Sequence, residues 1–233
     1  MARAEAPEFV RVFENVEAQE NFEVLFPIHL RRQIFFPNQF VPKERFYHQN
    51  VFDTYGNQYT LFLNTNSAAY APNPGTAMYP SATTATTFSL RAGASIASSA
   101  NCVAYCFNEV EGFSKFGKYV GNSSNDGVFV YLGFRPSFLM LKRYAGGDAD
   151  WMMADSKRWS FNRGTGTSSS TNILIPHSSG AEVTNYANID FLSNGFKLRQ
   201  DFSHLNASGA EHIYMAFAEH PFVSSKGVPV TAR

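Results

Sequence analysis

The sequence predicts an all-β fold, an antiparallel β-sandwich of jelly-roll type with an extended, proline-broken N-terminal docking segment. Three observations lead to this prediction. Charged residues make up only 16% of the chain while aromatic residues reach 15%, whereas ordinary soluble domains carry about 25% charged residues. Short apolar stretches alternate with turn signals through residues 88–222, which favours an antiparallel sandwich over a parallel α/β sheet. Prolines interrupt residues 1–50, and this excludes long helices there.

The charge balance narrows the class of protein. Nineteen basic and nineteen acidic residues give a formal net charge of zero in a chain of 233 residues, so a strongly basic nucleic-acid binder is excluded. No apolar run reaches the roughly 18 residues that a membrane span requires. The first residues carry charges and lack the apolar core of a secretory signal. We therefore expect no nucleic-acid partner, no membrane insertion and assembly in a cytoplasm.

The N-terminal region, residues 1–87, has the character of a docking segment. Six glutamates lie between positions 5 and 23, four basic residues follow at 31, 32, 43 and 45, and phenylalanines and the prolines at 27, 37 and 42 lie among them. Residues 8–16 fit either a short helix or a strand. So many phenylalanines on an extended segment need a surface to pack against, either the chain's own second half or a neighbouring subunit. The residues expected to dock are Phe22, Phe26, Arg31, Arg32, Phe35, Phe36 and Phe40.

Residues 54–90 contain no charged side chain. The stretch is either an ordinary irregular linker or a surface that is covered in an assembly, where buried charge would be unfavourable. Beyond it, strands alternate with turn signals up to residue 222, and a short tail, 223–233, follows. The strands expected there are 102–108, 118–120, 128–134, 138–143, 151–153, 173–175, 189–192, 196–199 and 212–218.

The two cysteines do not form a disulfide framework. Cys102 and Cys106 are four residues apart. On a strand they lie on one face but about 13 Å from each other, too far to bridge. We interpret them as small buried thiols.

Enzyme signatures are absent from the sequence. It has no Gly-x-Ser-x-Gly elbow, no phosphate-binding glycine loop and no zinc-protease motif. His204, His212 and His220 are evenly spaced, but eight residues of strand cover about 26 Å, so they are not expected to share a metal. Asp126, Asp148 and Asp190 lie beside turns, where aspartate bonds the local backbone. We therefore expect a non-enzymatic protein without catalytic residues, metal or cofactor.

One group of aromatic and basic residues is a candidate ligand site. Aromatic faces stack on sugar rings and on cations, although most of the aromatic residues must belong to a core. The candidate residues for ligand binding are Tyr131, Arg135, Tyr144, Trp151 and Trp159.

Within residues 88–222, a series of short blocks resembles a known family. The blocks are VAYCF (103–107), EVEGFSKFG (109–117), GN (121–122), VY (130–131), GFRP (133–136), MLKR (140–143), DFLSNGFKLR (190–199), NASG (206–209), YMAFAE (214–219) and PF (221–222). This series resembles a C-terminal domain of uncharacterised function found in structural proteins of tailed bacteriophages, especially marine phages. In those proteins the domain often follows a concanavalin-like sandwich, which residues 1–87 do not resemble.

The resemblance implies a virion protein located on the surface of a phage particle. The first hypothesis is a fibre or tail-appendage subunit that residues 1–87 anchor to the particle and whose sandwich, residues 88–222, serves host attachment. The alternatives are a capsid decoration protein that stabilises the head and a depolymerase that cuts host polysaccharide. The implied partners are other virion proteins, sister subunits in a homo-oligomer, for which the phage context suggests a trimer, and a host cell-surface glycan.

Overall fold

Extended backbone dominates the part of the chain that the structure describes, as its β-branched and aromatic side chains favour. The computed structural model describes residues 10–17, 22–23, 32–36, 45–48, 60–69, 89–90, 101–158, 162 and 171–220. The all-β expectation is confirmed, since these residues form sixteen strands and one short helix. In chain order the elements are β1 (Val10–Glu17), β2 (Phe22–Glu23), β3 (Arg32–Phe36), β4 (Arg45–His48), β5 (Leu61–Phe62), β6 (Ser89–Leu90), β7 (Asn101–Asn108), β8 (Ser114–Val120), β9 (Phe129–Tyr131), β10 (Pro136–Ala145), β11 (Met152–Asp155), β12 (Thr171–Ile173), β13 (Val183–Ala187), β14 (Ile189–Leu192), β15 (Gly195–Leu198), α1 (Ser203–Asn206) and β16 (Glu211–Ala218).

The chain divides into two compact units. The first contains residues 1–60 and 71–108, and the second contains residues 61–70 and 109–233. The expected domain boundary between residues 87 and 88 lies within the first unit. That boundary stays a prediction.

In the first unit, β7 is an interior strand of the sheet. It pairs antiparallel with β1 on one side and with β3 on the other, and β3 pairs with β4. The segment that fitted either a helix or a strand is therefore a strand, whose register shifts between Phe13 and Val16. Cys102 and Cys106 both lie on β7, as their interpretation as strand residues required.

The second unit is built on a four-stranded antiparallel sheet in the order β11-β10-β16-β8. Its longest pairing joins β10 to β16, where Leu139 lies opposite Ala216 and Leu141 opposite Tyr214. These four side chains are buried. The strict alternation of a strand places them on one face of the sheet.

A second, three-stranded antiparallel sheet, in the order β14-β15-β9, packs on that face. Phe196 of β15 contacts the rings of Tyr119 and Tyr214 edge-on, at centroid distances of 6.1 and 5.7 Å. Edge-to-face pairs of this kind are favourable beyond the area they bury. One apolar cluster includes side chains of both sheets, so the second unit is a β-sandwich. The pair β12-β13 joins the larger sheet through a bridge between Met153 and Leu174.

A tight hairpin joins β14 to β15. Leu192 lies opposite Gly195 in it. Its two-residue loop is Ser193-Asn194, so Gly195 is already in the strand. A Cβ at Gly195 would lie 2.1 Å from the backbone oxygen of Val130. Glycine is needed there because the neighbouring strand approaches closely.

Candidate functional site

Two aromatic side chains project from β9. Tyr131 is 60% exposed and Phe129 is 43% exposed, while Val130 between them is 8% exposed and belongs to the core cluster. Side chains two residues apart lie on the same face of a strand. Phe129 and Tyr131 therefore lie on the outer face of the three-stranded sheet, where β9 is an edge strand.

Lys115 of β8 completes this surface, which we call the aromatic platform (Lys115, Phe129 and Tyr131). Its ammonium donates a hydrogen bond to the backbone oxygen of Tyr131 at 3.1 Å and lies 5.2 Å from the centre of the Tyr131 ring. Among the described residues, Lys115 has no carboxylate partner. The platform therefore combines exposed aromatic faces with a positive charge, as cation–π geometry requires.

Gly195 of β15 leaves room for the ring of Phe129 in the platform. A Cβ at Gly195 would lie 3.1 Å from the ring of Phe129, so this ring lies across the neighbouring strand. Beside it, Lys197 contacts Asp126 at 2.6 Å. The hydrogen bond and charge of Lys197 hold the pKa of the Asp126 carboxyl below its usual value. Asp126 therefore stays ionised, and Lys197 balances its negative charge. The charge that the platform presents is that of Lys115.

The five residues expected to bind a ligand do not meet on one surface. Tyr131 is exposed, but Trp151 is 1% exposed and Tyr144 is 7% exposed. Arg135 is half-buried, pairs with Glu219 at 2.7 Å and donates to the backbone oxygen of Phe191 at 2.9 Å. The rings of Trp151 and Tyr144 are buried in the second unit, so they offer no face to a ligand. Trp159 lies outside the described residues.

The expected docking residues fall partly within the described residues. Phe22 lies on β2 and pairs with Leu90 of β6. Arg32, Phe35 and Phe36 lie on β3. These strands pair with strands of the same chain. The remaining docking residues, Phe26, Arg31 and Phe40, lie outside the described residues.

Lys142 is a fully buried lysine on β10. Its ammonium donates to the backbone oxygens of Asn66, at 2.8 Å, and of Ala149. It also lies 5.8 Å from the centre of the Trp151 ring. Burial lowers the pKa of Lys142 to about 8. A perturbed buried lysine is often a functional residue, but here two carbonyl acceptors give it a structural role.

The segment 61–69 is held against the β10–β11 connection around Lys142. Trp151 donates its indole N–H to the backbone oxygen of Phe62 at 2.8 Å. The backbone N–H of Ala68 donates to the carboxylate of Asp148 at 2.8 Å. The backbone N–H of Ala149 donates to the oxygen of Asn66 at 3.0 Å. The buried Trp151, which the sequence offered as a possible ligand-binding residue, therefore helps to fix the segment 61–69.

Asp150 is shared by two histidines. Its Oδ1 lies 3.2 Å from Nε2 of His177, and its Oδ2 lies 3.2 Å from Nδ1 of His204. Its own backbone N–H donates to the same Nδ1 of His204 at 3.2 Å. Burial lowers the pKa of His204, and although the charge of Asp150 opposes this shift, Arg143 reinforces it. Sequence reasoning missed this cluster because its members come from three separate connections.

The helix α1 contacts the loop 121–127 through Asn206, which is fully buried. The Asn206 side chain accepts from the backbone N–H of Asn122 at 2.9 Å. It donates to the backbone oxygens of Ser124, at 2.9 Å, and of Gln200, at 3.1 Å. The amide oxygen and nitrogen of one buried side chain therefore bind the polar loop 121–127 and connect it to Gln200.

Metal clusters and membrane-spanning helices are both absent from the described ranges. No group of three or more His, Cys, Asp or Glu side chains in these ranges could hold a metal ion. No helix in the same ranges has the length and apolar character needed to cross a membrane.

Comparison with known proteins gives one result. The family described as Domain of unknown function (DUF7483) matches residues 34–221. Neither the curated proteins nor the solved structures contain a match to the chain. The family match begins on β3 and ends just beyond β16, so it reaches well upstream of residue 88, where the sequence resemblance begins. Because it covers most of the chain, this protein belongs to the family described as Domain of unknown function (DUF7483).

Proposed function

We propose that this protein is a non-enzymatic structural protein of a bacteriophage virion. In this proposal it is a fibre or tail-appendage subunit whose N-terminal region anchors it to the particle. The β-sandwich of the second unit faces outward and contacts the host cell surface. The protein forms a homo-oligomer with its sister subunits, since closed symmetric assemblies are the common state of such proteins.

The observation that carries the proposal is the exposed pair Phe129 and Tyr131 on an edge strand. Two neighbouring exposed aromatic side chains on one face of a sheet form a contiguous apolar surface, and such surfaces mark sites of recognition. Aromatic rings offer flat apolar faces of the kind that sugar rings stack on. A host cell-surface glycan is therefore the ligand that fits the aromatic platform.

The composition gives further support. A low content of charged residues and a high content of aromatic residues suit a surface that is largely covered by neighbouring subunits, because burying charge there would be unfavourable. The stretch 54–90, which has no charged side chain, fits the same role.

Quantitative mass spectrometry of purified phage particles, followed by immunogold labelling with an antibody against the folded chain, tests the proposal. We expect a low copy number per particle and gold on the tail or fibre tips. Hundreds of copies, with gold spread evenly over the head, would replace attachment by capsid decoration. Absence of the chain from purified particles that encode it would overturn the virion assignment altogether.

A further inference from the structure

Lys115 carries a positive charge that no carboxylate of the described residues balances through an ion pair. Its ammonium donates one hydrogen bond to the backbone oxygen of Tyr131, at 3.1 Å, and lies 5.2 Å from the centre of the Tyr131 ring. A lysine ammonium has three donor hydrogens and no acceptor. Lys115 therefore has donors left for a group that does not belong to the described part of the chain.

The other charges on the neighbouring strand β15 and in the loop before β9 are compensated in pairs. Lys197 contacts the carboxylate of Asp126 at 2.6 Å. Arg199 forms an ion pair with Asp190. Each pair joins one cation to one anion, so the two pairs add little net charge to this side of the sandwich. The charge that a ligand meets is that of Lys115, and charge complementarity favours an anion.

The two exposed rings of the aromatic platform lie beside positions that have no side chain. A Cβ at Gly195 would lie 3.1 Å from the ring of Phe129, and a Cβ at Gly133 would lie 3.7 Å from the hydroxyl oxygen of Tyr131. The rings thus lie close to bare backbone, and they remain 43% and 60% exposed, respectively. Exposed aromatic faces of this kind accommodate the apolar face of a sugar ring.

The edge of β9 also offers backbone groups. Leu198 of β15 donates its N–H to the backbone oxygen of Val128 at 3.0 Å. Because an antiparallel ladder alternates, Phe129 and Tyr131 direct their backbone N–H and C=O groups to the opposite side. No described strand pairs with β9 on that side, and the ammonium of Lys115 reaches the Tyr131 oxygen from there. The backbone groups of Phe129 are therefore placed to bind the hydroxyls of a sugar.

A peptide strand fits this edge less well than a sugar does. Strand addition requires the backbone oxygen of Tyr131, which already accepts from Lys115. In addition, β9 has only three residues. Short edge strands and lysines at the edge are features that oppose strand addition. A sugar needs only a ring face, a partner for its charge and a few hydrogen bonds.

We propose that the aromatic platform binds a sugar ring that carries a carboxylate. The sugar ring stacks on Phe129 and Tyr131, and its carboxylate accepts hydrogen bonds from the ammonium of Lys115. This inference rests on the proposed attachment role and names its ligand class, an acidic glycan of the host cell surface. A neutral glycan would leave the charge of Lys115 without a partner, so it binds more weakly.

NMR titration of the full chain with oligogalacturonate and with oligosialate tests the ligand class. The methyl esters of both probes keep the sugar rings and lose the charge, so they are matched controls. We expect each acid to bind about fivefold more tightly than its ester, as a partly exposed ion pair allows, and added salt to reduce this preference. Lys115→Met should abolish the preference and Lys115→Arg should keep it. Lys118→Met, at an exposed lysine of the same strand, should behave as the unmodified protein.

Three results would overturn the acidic ligand. They are equal binding of acids and esters by the unmodified protein, an unchanged preference in Lys115→Met, and no binding of any probe. The first two need only the unmodified protein or a variant at a half-buried surface position, so they do not depend on a change in the core. Sedimentation that shows dimers of Lys115→Met, but not of the unmodified protein, would instead identify β9 as an edge for strand addition. Adsorption of Tyr131→Ala to host cells judges the attachment role separately, since it does not depend on the charge of the glycan.

Discussion

Lys142 and Asn66 are 76 residues apart in the chain, yet the ammonium of Lys142 donates a hydrogen bond of 2.8 Å to the backbone oxygen of Asn66 inside the second unit. Removing a lysine from water is unfavourable unless its donors are satisfied. The second acceptor, the oxygen of Ala149, and the nearby Trp151 ring compensate in part. This contact fixes the segment 61–69 in the second unit.

The first prediction concerns alkaline pH. Burial lowers the pKa of Lys142 from 10.5 to about 8, so between these values the unfolded chain binds more protons than the folded one. The contribution of Lys142 to stability should therefore rise with pH across this window, by up to about 1.4 kcal/mol per pH unit. Between pH 8 and pH 10, the free energy of unfolding of the unmodified protein should rise by about 2 kcal/mol relative to that of Lys142→Met. Urea unfolding of both proteins measures this change. Lys118→Met, at an exposed lysine of β8, is the control, and a constant difference for Lys142→Met would contradict the prediction.

The second prediction concerns acid. His212 is fully buried, stacks on Tyr119 at a centroid distance of 4.8 Å and donates from Nδ1 to the oxygen of Ala210 at 3.1 Å. Burial lowers its pKa from 6.5 to about 4. The folded state resists protonation, so the stability from neutral His212 is complete above pH 6.5 and is lost as the pH falls towards 4. The loss should be on the order of 3 kcal/mol.

The substitution His212→Phe keeps a stacked ring and removes the titration. Denaturant unfolding at pH 7, 6, 5 and 4 should therefore give a shallower acid slope for His212→Phe than for the unmodified protein. Equal slopes for the two proteins would show that His212 is not the group responsible.

The third prediction concerns the hold of α1 on the loop 121–127. Asn206→Ala removes three partly buried hydrogen bonds, to the backbone groups of Asn122, Ser124 and Gln200. We expect a loss of about 3 kcal/mol in the free energy of unfolding. Asn122→Ala is a matched control, because its side chain makes an exposed hydrogen bond to Ser124 at 3.1 Å. A similar small loss in both variants would mean that the Asn206 contacts are weak.

The fourth prediction tests the close approach of β15 and β9. Gly195→Ala would place a methyl group 2.1 Å from the backbone oxygen of Val130. Neither backbone can yield without loss of register, so we expect destabilisation of about 3 kcal/mol. At Gly180 the nearest atom to an added Cβ is the side-chain oxygen of Ser178, 3.1 Å away. Thermal unfolding should show little change for Gly180→Ala, and an equal change in the two variants would refute the steric argument.

The fifth prediction concerns the aromatic platform. Tyr131→Ala should change the free energy of unfolding by less than about 0.5 kcal/mol, because the side chain is mostly exposed. It should reduce adsorption of the purified chain to host cells about tenfold, as loss of a central aromatic contact does at other binding sites. Tyr131→Phe keeps the ring and should retain adsorption. Val120→Ala removes another exposed apolar side chain and serves as the control, and unchanged adsorption for Tyr131→Ala would remove the platform from the proposal.

Several elements were predictable because they depend on local patterns. The strands expected at 138–143 and 212–218 lie within β10 and β16, and the one expected at 189–192 coincides with β14. Strand alternation and flanking turn residues carry this information within a few positions. The helix α1 was not predicted, since its four residues are too few for a helical period. Its position depends on contacts with the distant loop 121–127.

The candidate site was predictable only in part. Tyr131 and Trp151 are both aromatic residues beside turns, and the sequence treats them alike. Tertiary structure separates them, since Tyr131 lies on an outer sheet face while Trp151 donates its N–H to Phe62, 89 residues away. Lys115 joins Tyr131 for the same reason, because β8 and β9 belong to different sheets whose edges meet only in the folded unit.

By itself the sequence determined the all-β character, the low charge, the positions of most strands in the second unit and the cysteines' placement on a strand. These properties follow from composition and from alternation over a few residues, which local backbone sterics translate directly into extended structure. The tertiary structure alone decided which aromatic residues are buried, which cation is enclosed and which histidines share Asp150. Such relationships join residues that are far apart in the chain, and they exist only once the sheets have packed and water has been excluded between them.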